Sequence, residues 1–191
     1  GFLMPKKTIT APGDTKAENI GNAGGTGASY ASVRNATTPS ASLIGNFRQT
    51  QVRHVSSSNK YFITRGLVLY DFTGSPIEQG IRVQRAELIL NDVTVQVETT
   101  NGDKITVGHV FNPNTFGSLH ANDYNRARYS TGATTQDTRT SAQQMTNGAD
   151  GAIVTLDNRN LLKQIEKAIN AKTYLHLVIR NELDSGNATP G

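Results

Sequence analysis

The stretch Lys60–Thr73, KYFITRGLVLYDFT, decides the fold class. It is rich in β-branched and aromatic residues, which suit a pleated and packed surface. With a side-chain period of two, Phe62, Thr64, Gly66, Val68, Tyr70 and Phe72 share one face. Tyr61, Ile63, Arg65, Leu67, Leu69 and Asp71 share the other. Both faces carry large apolar side chains, so the segment reads as a central strand covered on both sides. Gly74-Ser75-Pro76 stops it.

Working toward the C-terminus, Arg82–Asn91 (RVQRAELILN) sets Ala86, Leu88 and Leu90 inward by alternation, and Val93, Val95 and Val97 continue that period. Thr100-Asn101-Gly102-Asp103 contains the Asn-Gly pair of a tight turn, and Ile105, Val107, His109 and Phe111 follow as a return strand. The pattern predicts a hairpin. Gly151–Leu156 (GAIVTL) is a further short strand. Beyond it the period changes. Leu161, Leu162, Ile165, Ala168 and Ile169 recur at spacings of three and four, with Asp157, Asn158 and Asn160 as N-cap candidates. This helix ends at Asn170-Ala171-Lys172, and Thr173–Arg180 (TYLHLVIR) is a strand with Leu175, Leu177 and Ile179 on one face.

Toward the N-terminus the signals weaken. Residues 1–28 read as a flexible arm, because Gly24, Gly25 and Gly27 argue against a regular strand. Tyr30, Ser32 and Arg34 alternate with Ala31, Val33 and Asn35 as a first edge strand, and Leu43, Ile44 and Phe47 make a small apolar patch. The domain proper is therefore expected over residues 29–191. Residues 111–151 form a long polar stretch, of a length that is usually functional or hides short strands. Within it Tyr124, Arg126, Arg128 and Tyr129 form the one cluster of aromatic and Arg residues, the types enriched at interfaces. These four are the candidate contact residues for a partner or a ligand.

Composition narrows the function classes. The chain has 191 residues, a size that suits one β domain, and a net charge of +4 from 19 Lys and Arg against 15 Asp and Glu. The basic residues are scattered and form no run that would follow a phosphate backbone, so nucleic acid is not an expected partner. There is no cysteine, which excludes disulfides and thiolate metal sites. No apolar run reaches the ~20 residues of a membrane-crossing helix. Gly1-Phe2-Leu3-Met4 is too short for the apolar core of an export signal.

Three segments in order carry a family likeness: RGLVLYDF (65–72) with QRAELIL (84–90), then Val107–Phe111, then Ile153–Ile169 with Leu175–Asp184. They resemble the DNRLRE-type jelly-roll, which shows an R-x-x-L-x-F-D strand, an A-x-L-x-L strand, a helix, and a late L-x-L-R…D strand. The likeness covers roughly residues 28–191. It implies an all-β jelly-roll β-sandwich with one short α-helix before a late strand. It also implies a place among phage structural proteins or secreted polysaccharide-associated proteins. Two departures matter: the late tryptophans that would stack on sugars are missing, and the last strand expected after Asn181–Asp184 is not evident. An unclosed sandwich edge invites strand addition from a partner.

The chemistry-bearing residues point to no catalytic set. His54, His109, His120 and His176 lack helical metal spacing, and no nucleophile elbow, zinc helix or phosphate loop is present. The carboxylates Asp71, Glu87, Asp92 and Asp103 lie near β elements, but no spacing marks an acid–base pair. Asp71 at a strand end suits turn hydrogen bonds, with calcium as the other reading. Arg65 on an apolar strand face requires a buried partner, with Asp71, Glu87 and Asp184 as candidates. The expectation is a non-enzymatic virion component without cofactor: a capsid decoration, head fibre or tail protein. Its partners would be copies of itself or neighbouring virion or filament proteins, held through strand edges and the polar loop. A carbohydrate-binding module of a secreted protein, or an extracellular filament subunit, is the alternative, with glycan as ligand.

Overall fold

The computed structural model describes residues 20–45, 50–74, 77–90, 104–129, 143–144 and 152–190. Its elements in chain order are β1 (Ile20–Gly27), α1 (Tyr30–Asn35), β2 (Ala41–Ile44), β3 (Gln51–Val55), β4 (Lys60–Asp71), β5 (Ala86–Leu90) and β6 (Lys104–His109). Two 3-10 turns (Ala121–Tyr124, Arg126–Arg128), β7 (Gln143–Gln144), β8 (Ala152–Leu156), α2 (Arg159–Asn170), β9 (Tyr174–Asn181) and α3 (Glu182–Gly186) complete the chain. Every strand pairing among the described residues is antiparallel. The protein is all-β, with few helices.

β4 organises the main sheet, whose order is β2-β1-β4-β9-β6-β7. Along its first half β4 pairs with β1 on one side and β3 on the other; along its second half β9 takes the place of β3. Thr50 closes the junction, its hydroxyl facing the carbonyls of Thr64 and Ile179. β5 and β8 form a separate two-stranded ribbon.

The two faces read from the β4 sequence are the two faces of the sheet. On one, Val68 and Phe72 join Ile105, Val107, Leu175, Leu177 and Ile179 under α2 and the ribbon. The helix contributes the expected stripe, Leu161, Leu162, Ile165, Ala168 and Ile169, all buried. Asn158 caps it, accepting from the amides of Asn160 and Leu161. Each large side chain in this layer contributes about 1.5–3 kcal/mol by leaving water. Ribbon residues Leu88, Val154 and Leu156 point the same way, with Ala86 and Leu90 at the margin. On the opposite face Leu67, Leu69 and Val178 are covered by Val110, Leu119, Tyr124 and Tyr129. α1 extends this cover through Tyr30 and Val33 over Ile63.

An extended strap, residues 77–85, is fastened to α2 by side chains acting as a strand would. The Asn170 amide accepts from Gly80 and Ile81 and donates to the Ile81 carbonyl, while Glu166 accepts from the Val83 amide.

Several sequence expectations need correction. The arm does not reach residue 28: Ile20–Gly27 is strand β1, hydrogen-bonded to both β2 and β4. Its glycines serve close packing. A Cβ on Gly25 would sit 2.5 Å from the Tyr124 hydroxyl, and one on Gly27 2.9 Å from Val33. Residues 1–19 lie outside the described residues. The alternation in residues 30–35 marks a helix of six residues, α1, too short for a helical period to emerge. Its cap, Ser29 accepting from the Ser32 amide, was the available signal. With α3 this makes three described α-helices against the expected one. The hairpin's return strand exists as β6, but it pairs with β9 and β7. The outgoing arm Val93–Val97 and the Asn-Gly turn lie outside the described residues.

Candidate functional site

The most polar buried site sits on the Leu67–Leu69 face of the sheet, where Arg65 and Arg180 project from neighbouring strands. Both are fully buried, with 0% and 1% of their surface exposed. α3 carries Asp184 to Arg65, placing Oδ2 2.6 Å from Nε and Oδ1 2.8 Å from Nη2. This is the bidentate fork that planar guanidinium and carboxylate groups favour. Of the three partners that the sequence offered Arg65, Asp184 is the one in place. Arg65 also donates to the carbonyls of Tyr124 and Arg34, and its guanidinium lies 4.3 Å from the Tyr124 ring centre. Arg180 lies over Tyr129 at 4.9 Å. Arg34, from α1, donates to the Asp184 carbonyl at 2.8 Å.

Electrostatics in this cluster favour charge. Burial opposes the Arg65 cation, yet Tyr129 and Asp184 more than offset it, and the guanidinium is held above its usual pKa. Burial likewise would raise the Asp184 carboxyl, but Arg65, Arg180 and Arg34 together hold it below the usual carboxylate range. The tyrosines complete the network: Tyr30 donates to Leu183, Tyr124 to Val33 and Tyr129 to Tyr124. Burial raises the Tyr124 hydroxyl to about 12, so it stays protonated and remains a donor.

The loop cluster proposed as a contact site divides in two. Tyr124 and Tyr129 have no exposed surface and form the lid over Arg65 and Arg180. Their rings present no surface to a partner. Arg126 and Arg128 lie at the rim, both half-buried: Arg126 reaches Asn35, and Arg128 binds the carbonyls of Asn122 and Asn112. Composition marked the cluster, but inward-facing tyrosines cannot be told from outward-facing ones without a period. Asp71 takes the turn role, its Oδ1 accepting from the Thr73 amide and hydroxyl. Among the described residues no group of three or more His, Asp or Glu could hold a metal ion, and no helix is long and apolar enough to cross a membrane.

Two other features were not legible in the sequence. The ribbon turns Arg85, Glu87 and Ile89 of one strand and Ile153 and Thr155 of the other away from the core. Ile89 and Ile153 are direct cross-strand partners, exposed by 51% and 53%. The second feature is a cavity of about 450 Å³ where β6 and β9 end against α2, lined by His109 and His176.

These histidines set a pH dependence. Burial, then His176 on β9 and Lys167 on α2, lowers the His109 pKa from 6.5 to about 4. Burial also lowers His176, against the pull of Asp123. Between those limits the unfolded chain binds more protons than the folded one. Stability is therefore complete above about pH 6.5 and is lost as pH falls toward 4, His109 alone accounting for on the order of 3 kcal/mol. Urea midpoints at pH 7 and pH 5 should differ accordingly, and His109→Phe should narrow the difference. An unchanged midpoint in the wild type would refute the assignment.

No family model matches the chain, and neither a curated protein nor a solved structure matches it. Fold and site define an antiparallel β domain with a buried Arg65–Asp184 ion pair.

Proposed function

We propose that the chain is a non-enzymatic building block of an extracellular assembly, a phage virion foremost, and that it joins its neighbours through the β5–β8 ribbon. The observation that carries this reading is the ribbon's outer face. Ile89 and Ile153 present adjacent apolar surface, flanked by the Arg85–Glu87 ion pair at 2.6 Å. Among the described residues β5 and β8 pair only with each other. Exposed apolar surface beside strand edges that have no further partner among the described residues is what strand addition uses. The non-catalytic part of the reading rests on the use of the buried charges: Arg65, Arg34 and Asp184 bind one another and backbone carbonyls, not an open cleft.

The jelly-roll assignment belongs to the same proposal. Its support is the main sheet, where β4, β9 and β6 are neighbours although distant in sequence, and a second layer over one face. The long crossovers of Greek-key topology give that order. The resemblance of Arg65–Phe72 and Leu175–Asp184 to the DNRLRE-type motifs adds to it, since Arg65 of the first segment and Asp184 of the last are bonded to each other.

Sedimentation velocity across a concentration series tests the assembly. The wild type should associate, and Ile89→Lys with Ile153→Lys should leave a folded monomer, because both side chains point to solvent. A wild-type chain that stays monomeric throughout, or a double variant that associates equally well, would refute the ribbon as the contact.

A further inference from the structure

Beyond β6 the chain turns back over the end of the sheet. The Val110 amide donates to the His176 carbonyl at 2.9 Å, and Thr115 and Ser118 then close a tight turn around Phe116 and Gly117. Gly117 has a φ of +83°, as the third position of such a turn requires, and a Cβ there would meet the Tyr174 ring at 2.8 Å. Phe116 is 61% exposed, edge-on to Tyr174 at 5.6 Å and tilted against the His176 ring at 5.8 Å.

The flanks of this turn are pinned independently of it. Asp123 accepts from the amides of Asn114 and His120, and Arg128 donates to the Asn112 carbonyl and the Asn114 side chain. Leu119 is buried in the core. Residues 115–118 are different. Among the described residues they make one hydrogen bond to another element: the Gly117 amide donates to His176 Nε2 at 3.0 Å. Thr115, Phe116 and Ser118 are exposed, so beside this bond only the ring contacts of Phe116 hold the turn down.

That bond depends on the protonation state of His176. An amide can only donate, so Nε2 carries no proton, and in the neutral ring the proton sits on Nδ1. An imidazolium donates from both nitrogens and would set one N–H against another. The groups around the ring come from several elements. Asp123, in the first 3-10 turn, favours the charged ring; His109 on β6 and Lys167 on α2 share its cavity; Asp71 on β4 stands opposite Tyr174, its Oδ1 accepting from Thr73. Burial outweighs Asp123, so the His176 pKa lies below 6.5. The bond is therefore complete above about pH 6.5 and is lost as pH falls through the depressed value.

We propose that His176 is a proton-sensitive latch: the neutral ring holds the turn 115–118 on the end of the sheet, and charging it frees Gly117 and lets Phe116 lift away while the sheet stays folded. Lifting the turn uncovers the Tyr174 ring and widens the mouth of the cavity that Phe116 and Tyr174 line.

NMR of the ¹⁵N-labelled full chain between pH 7.5 and 4 tests this. At pH 7.5 the His176 ring should carry its proton on Nδ1, and a ¹⁵N–¹⁵N coupling should cross the hydrogen bond from Gly117 to Nε2. Both the coupling and the Overhauser contacts between the Phe116 and Tyr174 rings should disappear with the midpoint at which His176 titrates. The resonances of β4 and α2 should remain dispersed through that transition. His109→Phe should retain the transition, because the latch ring is untouched. His176→Gln, whose amide oxygen accepts at any pH, should hold the ring contacts down to pH 4; the wild-type titration decides without it. A proton on Nε2 at pH 7.5, ring contacts that outlast the charging of His176, or their loss only together with the β4 and α2 dispersion would each overturn the proposal.

Discussion

Asp184→Asn is expected to destabilise the fold by about 3–5 kcal/mol, the range for breaking a buried ion pair from one side. The amide would keep one acceptor for Arg65 but turn its NH2 toward a guanidinium. Arg65, Arg34 and Arg180, which share this carboxylate as their source of negative potential, would repel one another in a dry site. Native domains are stable by only about 5–15 kcal/mol, so the loss is a large share of the whole. Arg65→Ala should cost a similar amount, since it takes the bidentate donor from Asp184, leaving Arg34 at 3.4 Å, and removes the donor of the Tyr124 and Arg34 carbonyls. The informative comparison is Arg65→Met combined with Asp184→Leu. The double variant should lose clearly less than the sum of the single losses, because Arg65 and Asp184 no longer strand each other, although Arg34 and Arg180 still lose the carboxylate they share. It should still fall below the wild type, as the two carbonyls lose their partner. Urea midpoints for the four chains give the coupling directly. Additive losses would mean that the pair is not the unit described.

Gly25→Ala carries the second largest effect. The new methyl group would sit 2.5 Å from the Tyr124 hydroxyl, 3.0 Å from its ring and 3.1 Å from Val33. Tyr124 has little freedom to withdraw: it is fully buried, its hydroxyl binds the Val33 carbonyl, and its ring lies against Arg65. Overpacking costs about 1–3 kcal/mol and more where the neighbour is rigid, and the displaced hydrogen bond adds about 1 kcal/mol. Tyr124→Phe alone should cost about 1 kcal/mol for the same bond. Because that substitution removes the atom in closest conflict, Gly25→Ala should be cheaper when combined with Tyr124→Phe than in the wild type. Equal cost in both backgrounds would show that Tyr124 does not set the limit at Gly25.

These two positions show what the sequence disclosed and what it withheld. The alternation through Lys60–Thr73 revealed a strand covered on both faces because each face needs a continuous apolar row. α2 was equally legible, since twelve residues are enough for a helical period to emerge. Arg65 announced a buried partner through its position on an apolar face, and Asp184 was among the few carboxylates available. β1 was hidden by its own packing. Gly25 and Gly27 are there because Tyr124 and Val33 approach the backbone, and the Gly25–Tyr124 contact joins residues nearly a hundred positions apart. The contact role expected of Tyr124 and Tyr129 met the opposite difficulty. Composition identified an unusual cluster, while the direction of its side chains depended on two arginines from other strands. The ribbon's apolar outer face escaped notice for a simpler reason. Ile89 and Ile153 stand in runs where the neighbouring Leu88, Val154 and Leu156 truly face the core. The cavity likewise joins the end of β6, the end of α2 and the loop at Phe116, which no single segment reveals.

The assembly reading is tested most directly by amide hydrogen exchange of the full chain across a dilution series. Peptides from the ribbon, residues 85–90 and 152–156, should exchange more slowly as concentration rises, while α2 exchanges at one rate throughout. Ribbon exchange that does not vary with concentration would contradict a docking role for this face.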